Sequence, residues 1–244
     1  MEIVILVLGG TAEGRAVAQA LADRGMLAML SLAGRTSQPL TAGPVRSGGF
    51  GGIEGLATYL RTEGVTSVVD ATHPFAESMS HNAAQACAQV GVPLVRLTRP
   101  GWSEHPLANS WLWVEDHAQA AAAASELIGP VLLSVGRQHT LDYVPHLEDR
   151  HVVARVAERP SGMLPSRWVL LFSRGPFTLT GERELFSQHA ISVLVTKDSG
   201  GELTEAKLRA ADERNAYVVM IRRPEMPEGL TQVSNVEDAL ARVV

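Results

Sequence analysis

The chain has 244 residues, 45% of them hydrophobic and 19% charged, with a formal net charge of −5. That length suits two small α/β domains, the apolar content excludes a disordered chain, and the acidic balance argues against a nucleic-acid binder, which needs a basic face. A single cysteine, Cys87, excludes a disulfide framework and a cysteine-rich metal site, and it is read as a small buried apolar residue. No run of 18 or more apolar residues is present, so no membrane span is expected, and the expected location is the cytoplasm.

Residues 3–8 form a continuous apolar run, as in a parallel strand buried on both faces. Gly9-Gly10-Thr11-Ala12-Glu13-Gly14 follows, and residues 15–24 read as a helix stopped by Gly25. Strands are expected at 27–32 and 45–47, a helix at 53–63, a strand at 67–71, a helix at 77–90 and a strand at 93–97. This alternation predicts a parallel, doubly wound sheet. Residues 99–110, with two prolines, a glycine and Trp102, read as a domain boundary. Beyond it the alternation resumes: helix 117–128, strands 131–135, 151–156, 169–172 and 191–195, helix 204–215, strand 217–221 and helix 236–243. The expected fold is α/β: two Rossmann-like doubly wound parallel-sheet domains with an intervening cleft. The expected domains are residues 1–100 and residues 101–244.

A strand, a glycine turn and a helix together suit a dinucleotide. Glycines let a pyrophosphate approach the backbone, and the helix N-terminus offers unpaired N–H groups. Gly9, Gly10, Thr11, Ala12, Glu13 and Gly14 are therefore candidate cofactor residues, although their spacing departs from strict G-x-G-x-x-G. At the end of the second strand an NAD site carries an acid, whereas an NADP site tolerates the 2′-phosphate with an arginine. Here the loop reads Gly34-Arg35-Thr36-Ser37, with one guanidinium, two hydroxyls and no acid, which suits a phosphate dianion.

Several predicted strands end in a cation: Arg99, Arg137, Arg174 and Lys197. Ligands of open α/β sheets sit at the carboxyl ends of strands, so four cations there point to an anionic ligand larger than a dinucleotide's phosphates. Asp70-Ala71-Thr72-His73-Pro74-Phe75-Ala76 ends a strand at the place expected for a nicotinamide, and Thr196-Lys197-Asp198-Ser199-Gly200-Gly201 offers an anion-binding nest. The other histidines are scattered, so no metal site is expected, and no nucleophile elbow is present.

Gly-Gly-Thr-Ala-Glu-Gly-Arg after the first strand, Asp-Ala-Thr-His-Pro-Phe-Ala in the middle, Arg99-Pro100-Gly101-Trp102, and Thr-Lys-Asp-Ser-Gly-Gly near the end resemble the precorrin-6A reductase family of cobalamin biosynthesis. The resemblance spans nearly the whole chain. It implies NADPH-dependent reduction of one ring double bond of precorrin-6A to give precorrin-6B, on a tetrapyrrole fringed with acetates and propionates. It also implies that Thr72, His73 and Phe75 lie by the nicotinamide, with His73 positioning rather than acting as general acid. Arg99, Arg137, Arg174, Lys197, Ser199 and Gly200 would then engage substrate carboxylates. The partners implied are this small-molecule substrate and neighbouring corrin-pathway enzymes, with neither nucleic acid nor membrane. Three other readings stay open at this stage: a cobalt-precorrin-6A reductase using NADH or NADPH, a reductase for another polyanionic metabolite, and a non-catalytic NADP(H)-sensing module.

Overall fold

The structure, a computed structural model, describes residues 4–33 and 43–244. It divides into two units, Met1–Pro100 with Pro224–Val244, and Gly101–Arg223. The first unit opens with β1 (Val4–Leu8), α1 (Ala12–Asp23), β2 (Leu27–Leu32), β3 (Val45–Ser47), α2 (Gly52–Thr62), β4 (Ser67–Asp70), α3 (Glu77–Val90) and β5 (Leu94–Leu97). The second holds β6 (Leu112–Val114), α4 (His117–Glu126), β7 (Val131–Ser134), the short α5 (Val144–Leu147), β8 (Val152–Val156) and β9 (Trp168–Phe172), followed by α6 (Leu179–Gln188), β10 (Val193–Lys197), α7 (Ala206–Glu213) and β11 (Tyr217–Ile221). The chain then adds β12 (Thr231–Val233) and α8 (Val236–Val243) to the first unit.

Each unit is a six-stranded, all-parallel sheet. The first runs β12-β5-β4-β1-β2-β3 and the second β6-β11-β10-β7-β8-β9. Strand order reverses between β1 and β4 in one and between β7 and β10 in the other. These are doubly wound sheets, a class in which ligands bind at the carboxyl ends of the strands beside the reversal. The apolar run of β1 reads as it does because Ile5, Leu6, Val7 and Leu8 are all buried, with helices on both faces. Thr11, Asp116, Thr178 and Asn235 cap α1, α4, α6 and α8 with side-chain oxygens.

The terminal segment departs from the expectation that residues 101–244 form one domain. β12 pairs with β5 in parallel, Thr231 opposite Val95, and Ala239, Leu240 and Val243 of α8 join the core of Val17 and Leu21 on α1. The apolar face of α1 and the open edge of β5 require a cover, and the end of the chain supplies it. In the second unit the corresponding edge is filled by β6, which precedes the other strands of its sheet. Among the described residues no helix is long and apolar enough to cross a membrane.

Candidate functional site

In the first unit, each glycine of the turn after β1 has a distinct task. A Cβ on Gly9 would meet Leu30 Cδ1 at 2.5 Å, so the turn lies tight against β2. A Cβ on Gly14 would meet Gly9 Cα at 3.0 Å, so α1 packs closely on the turn. Gly10 has φ +117° and open space where a side chain would stand, leaving its backbone accessible. Thr11 locks the arrangement across the reversal: its Oγ1 donates to Ala71 O at 2.7 Å and accepts from Gly14 N at 3.0 Å. Glu13, in the first turn of α1, is held by Arg99, whose Nη1 lies 2.9 and 2.8 Å from the two carboxylate oxygens. Burial pushes the Glu13 carboxyl up, but its backbone hydrogen bond and Arg99 outweigh this and hold it below its ordinary value.

Across the reversal, Asp70 ends β4 fully buried, level with Leu8 of β1 and Arg96 of β5. Its Oδ1 accepts from Thr72 N at 3.0 Å and Thr72 Oγ1 at 2.7 Å and pairs with Arg96 Nη1 at 2.7 Å, while Oδ2 accepts from Ser80 Oγ at 2.7 Å. Arg96 donates to Thr72 Oγ1 at 2.8 Å and to His73 O at 3.3 Å. A buried acid and a buried base thus pin the loop that carries Thr72, His73 and Phe75. His73 Nδ1 accepts from Phe75 N at 3.2 Å, which places the proton of the neutral ring on Nε2.

In the second unit the strand ends carry side-chain charge. Arg137 follows β7 and Arg174 follows β9, and both pair with Glu158, which follows β8, at 2.7 and 3.3 Å. All three are well exposed. Arg174 also borders a cavity of ≈ 370 Å³ with Arg155, Phe177, Thr178 and Glu182. Lys197 is the last residue of β10, and burial pushes its ammonium down to about 8. Beyond it, Asp198 accepts from Trp102 N at 2.7 Å, and a Cβ on Gly101 would meet its carboxylate at 2.7 Å. Gly101-Trp102 and Lys197-Asp198, far apart in sequence, are therefore two halves of one contact. Ser199 N donates to Lys197 O at 2.7 Å, and Gly200 has φ +63°. Arg35, Thr36 and Ser37 lie outside the described residues.

The sequence reading passed over several groups. Arg96 sits inside a strand rather than after one, and only the fold brings it to Asp70. Arg155 of β8 is buried with Glu182 of α6 and lies 4.2 Å over the Phe177 ring. His117 and His139 stack with ring centroids 3.8 Å apart, and His117 Nδ1 is 2.9 Å from the Tyr143 hydroxyl. Burial, then His139 and Lys197, push His117 down to about 4, so this ring is neutral near pH 7. No spacing rule joins residues from the start of α4 and the loop after β7; the adjacency is tertiary. Arg46 on β3 completes the set, hydrogen-bonded to Ser31 and stacked on Phe50.

Comparison with known proteins agrees with this architecture. A solved structure of CobK precorrin-6A reductase superposes with a TM-score of 0.89 and 40% identity, covering 98% of this chain and 95% of that one. The precorrin-6A reductase of Rhodococcus erythropolis is 45% identical over 98% of this chain and 96% of its own length. That of Rhodobacter capsulatus is 44% identical over 91% and 89%. The model of the family described as Precorrin-6x reductase CbiJ/CobK matches residues 4–244, and the chain belongs to that family.

Proposed function

We propose that the chain reduces a ring double bond of precorrin-6A with NADPH, giving precorrin-6B in cobalamin biosynthesis. One observation carries the reading: the same doubly wound sheet occurs twice, with an open glycine turn at the reversal in the first unit and exposed cations at the strand ends of the second. The full-length likeness to precorrin-6A reductases supports the substrate.

The first unit suits a nicotinamide dinucleotide. Its glycines divide the work as such a turn requires: Gly9 for tightness, Gly10 for backbone approach, Gly14 for helix packing. The N–H groups at the start of α1 would hold the pyrophosphate, with Arg99 offsetting the charge of Glu13 beside it. Arg35, with Thr36 or Ser37, would face the 2′-phosphate. The bound dinucleotide supplies the hydride. Thr72, His73 and Phe75 would border the nicotinamide on a loop kept rigid by Asp70 and Arg96. His73 acts there as a positioning group, because its Nδ1 is engaged by Phe75 N within its own loop. In the second unit Arg137, Arg174 and Lys197, with Ser199 and Gly200, would meet the acetate and propionate carboxylates.

The test is anaerobic incubation of the purified chain with precorrin-6A and NADPH, followed by absorbance. Equimolar loss of NADPH and of the precorrin-6A spectrum is expected. Nucleotide binding without any oxidation in the presence of precorrin-6A would refute the reading in favour of a sensor.

A further inference from the structure

Arg46 is a rim arginine without a carboxylate partner. Arg96, Arg99, Arg137, Arg155 and Arg174 each pair with an acid. Arg46 instead donates from Nη1 to Ser31 Oγ and Gly48 O, both at 2.9 Å, and from Nη2 to Gly49 O at 3.1 Å. Its guanidinium lies 3.8 Å over the Phe50 ring and 5.2 Å from that of Tyr59. All three acceptors are neutral, and among the described residues no acid lies within ion-pair distance of the guanidinium. A guanidinium has five N–H groups. These bonds use three, leaving Nε–H and one N–H of Nη2.

Position gives this group its meaning. Arg46 is level with Ser31 of β2, and Ser31 is level with Leu8, the last residue of β1. Arg46 therefore stands on the carboxyl rim, on the side of the glycine turn away from the Thr72–Phe75 loop. In a sheet of this order the pyrophosphate sits at β1 and the adenosine ribose at the end of β2, beside β3. The loop beyond Arg46 is open to approach: side chains added at Gly48, Gly49, Gly51 or Gly52 would meet nothing within 4 Å. A planar cation fixed by backbone carbonyls and backed by an aromatic ring is suited to a phosphate monoester or to the face of a base. The uncompensated charge favours the phosphate.

We propose that Arg46 reads the 2′-phosphate of the adenosine ribose and so sets the preference for NADPH over NADH. This rests on the reading of the first unit as the dinucleotide site.

Calorimetric titration of the full chain with adenosine 2′,5′-bisphosphate and with 5′-AMP tests it without turnover. Wild type should bind the bisphosphate more tightly. Arg46→Ala and Arg46→Gln should each weaken bisphosphate binding about ten- to a hundredfold, the range for loss of a charge-assisted contact, and leave 5′-AMP nearly unchanged. Retained 5′-AMP binding also shows that the turn is folded. If either variant keeps the wild-type preference, or if wild type shows none, Arg46 is not the reader, although the dinucleotide site itself stands. Loss of both nucleotides in both variants overturns the proposal as well, assigning Arg46 to the architecture of the loop. If wild type binds neither nucleotide, the dinucleotide reading is what fails.

Discussion

The two units share the order of five strands and differ in what they place at its reversal. After β1 the first offers Gly9, Gly10 and a capped helix start, so what it presents at the rim is backbone N–H. After β7 the second offers Gly136, with φ +83°, then Arg137 and a 3-10 turn, and after β10 it offers Lys197. Backbone N–H groups suit a pyrophosphate, which is compact and can approach a glycine turn closely. Side-chain cations suit carboxylates spread around a large ring, because long side chains reach in several directions. On the proposed reading, one fold would serve two ligand chemistries by exchanging main-chain donors for side-chain donors.

The comparison extends below the rim. Among the described residues each unit buries one arginine–carboxylate pair, Arg96 with Asp70 and Arg155 with Glu182. Their surroundings differ: Asp70 also accepts from Thr72 and Ser80, while Glu182 Oε2 has no hydrogen-bond partner. Arg96→Met and Arg155→Met should each cost about 3–5 kcal/mol in urea unfolding, because each strands a buried acid. Adding Glu182→Leu to Arg155→Met should restore most of the loss. Adding Asp70→Leu to Arg96→Met should not, since Thr72 and Ser80 would lose their acceptor. Equal recovery in the two double variants would break the distinction between a structural pair and a loop-holding one.

The next effect is smaller and concerns Glu158, which holds both Arg137 and Arg174. Arg137→Ala should weaken tetrapyrrole binding about tenfold and leave NADPH affinity alone. Its effect on stability should stay within about 1 kcal/mol, as for other exposed pairs. Glu158→Gln should tighten tetrapyrrole binding, because a competing carboxylate is removed. Fluorescence titration with each ligand measures both, and weaker binding in Glu158→Gln would show that the acid positions these arginines for the substrate.

The smallest effect is a pH dependence confined to the second unit. Burial lowers Lys197 to about 8 from an ordinary 10.5, so its charge is present below that value and lost above it. Tetrapyrrole affinity should therefore fall severalfold, to about tenfold, between about pH 7 and 9, and Lys197→Arg, which stays charged, should flatten the profile. Nucleotide binding by the first unit should show no such step. Stability runs the other way. The unfolded chain holds the Lys197 proton more tightly, so this group makes the fold less stable below about 8, and the cost is relieved as pH rises towards 10.5.

Much of this was legible in the sequence. The strand–turn–helix at residues 4–23 could be read because apolar continuity, two adjacent glycines and a capping threonine are all local signals. β6 and β12 were not, since three residues show no periodicity, and β3, equally short, was expected only from its place before a glycine-rich loop. α6 was obscured by Gly181 and by a surface so polar that only Glu182 and Phe186 are buried. At the site, Arg137, Arg174 and Lys197 were visible as cations after strands. Arg99 was visible too, but not its bond to Glu13 of the glycine turn. Arg46 looked like an unremarkable strand residue, because its lack of a neutralising acid is a fact of three dimensions.

The route of the chain also bears on how the molecule is made. Synthesis runs from the N-terminus, and domains usually fold in that order. Here the second unit has all its strands once Arg223 has emerged, while the first still lacks Pro224–Val244. Until β12 and α8 arrive, β5 presents an unpaired edge and α1 an uncovered apolar face. The unit whose strands are translated first is thus the last to be completed on the ribosome, and a nascent chain truncated anywhere before Thr231 would expose a sticky edge to quality-control proteases.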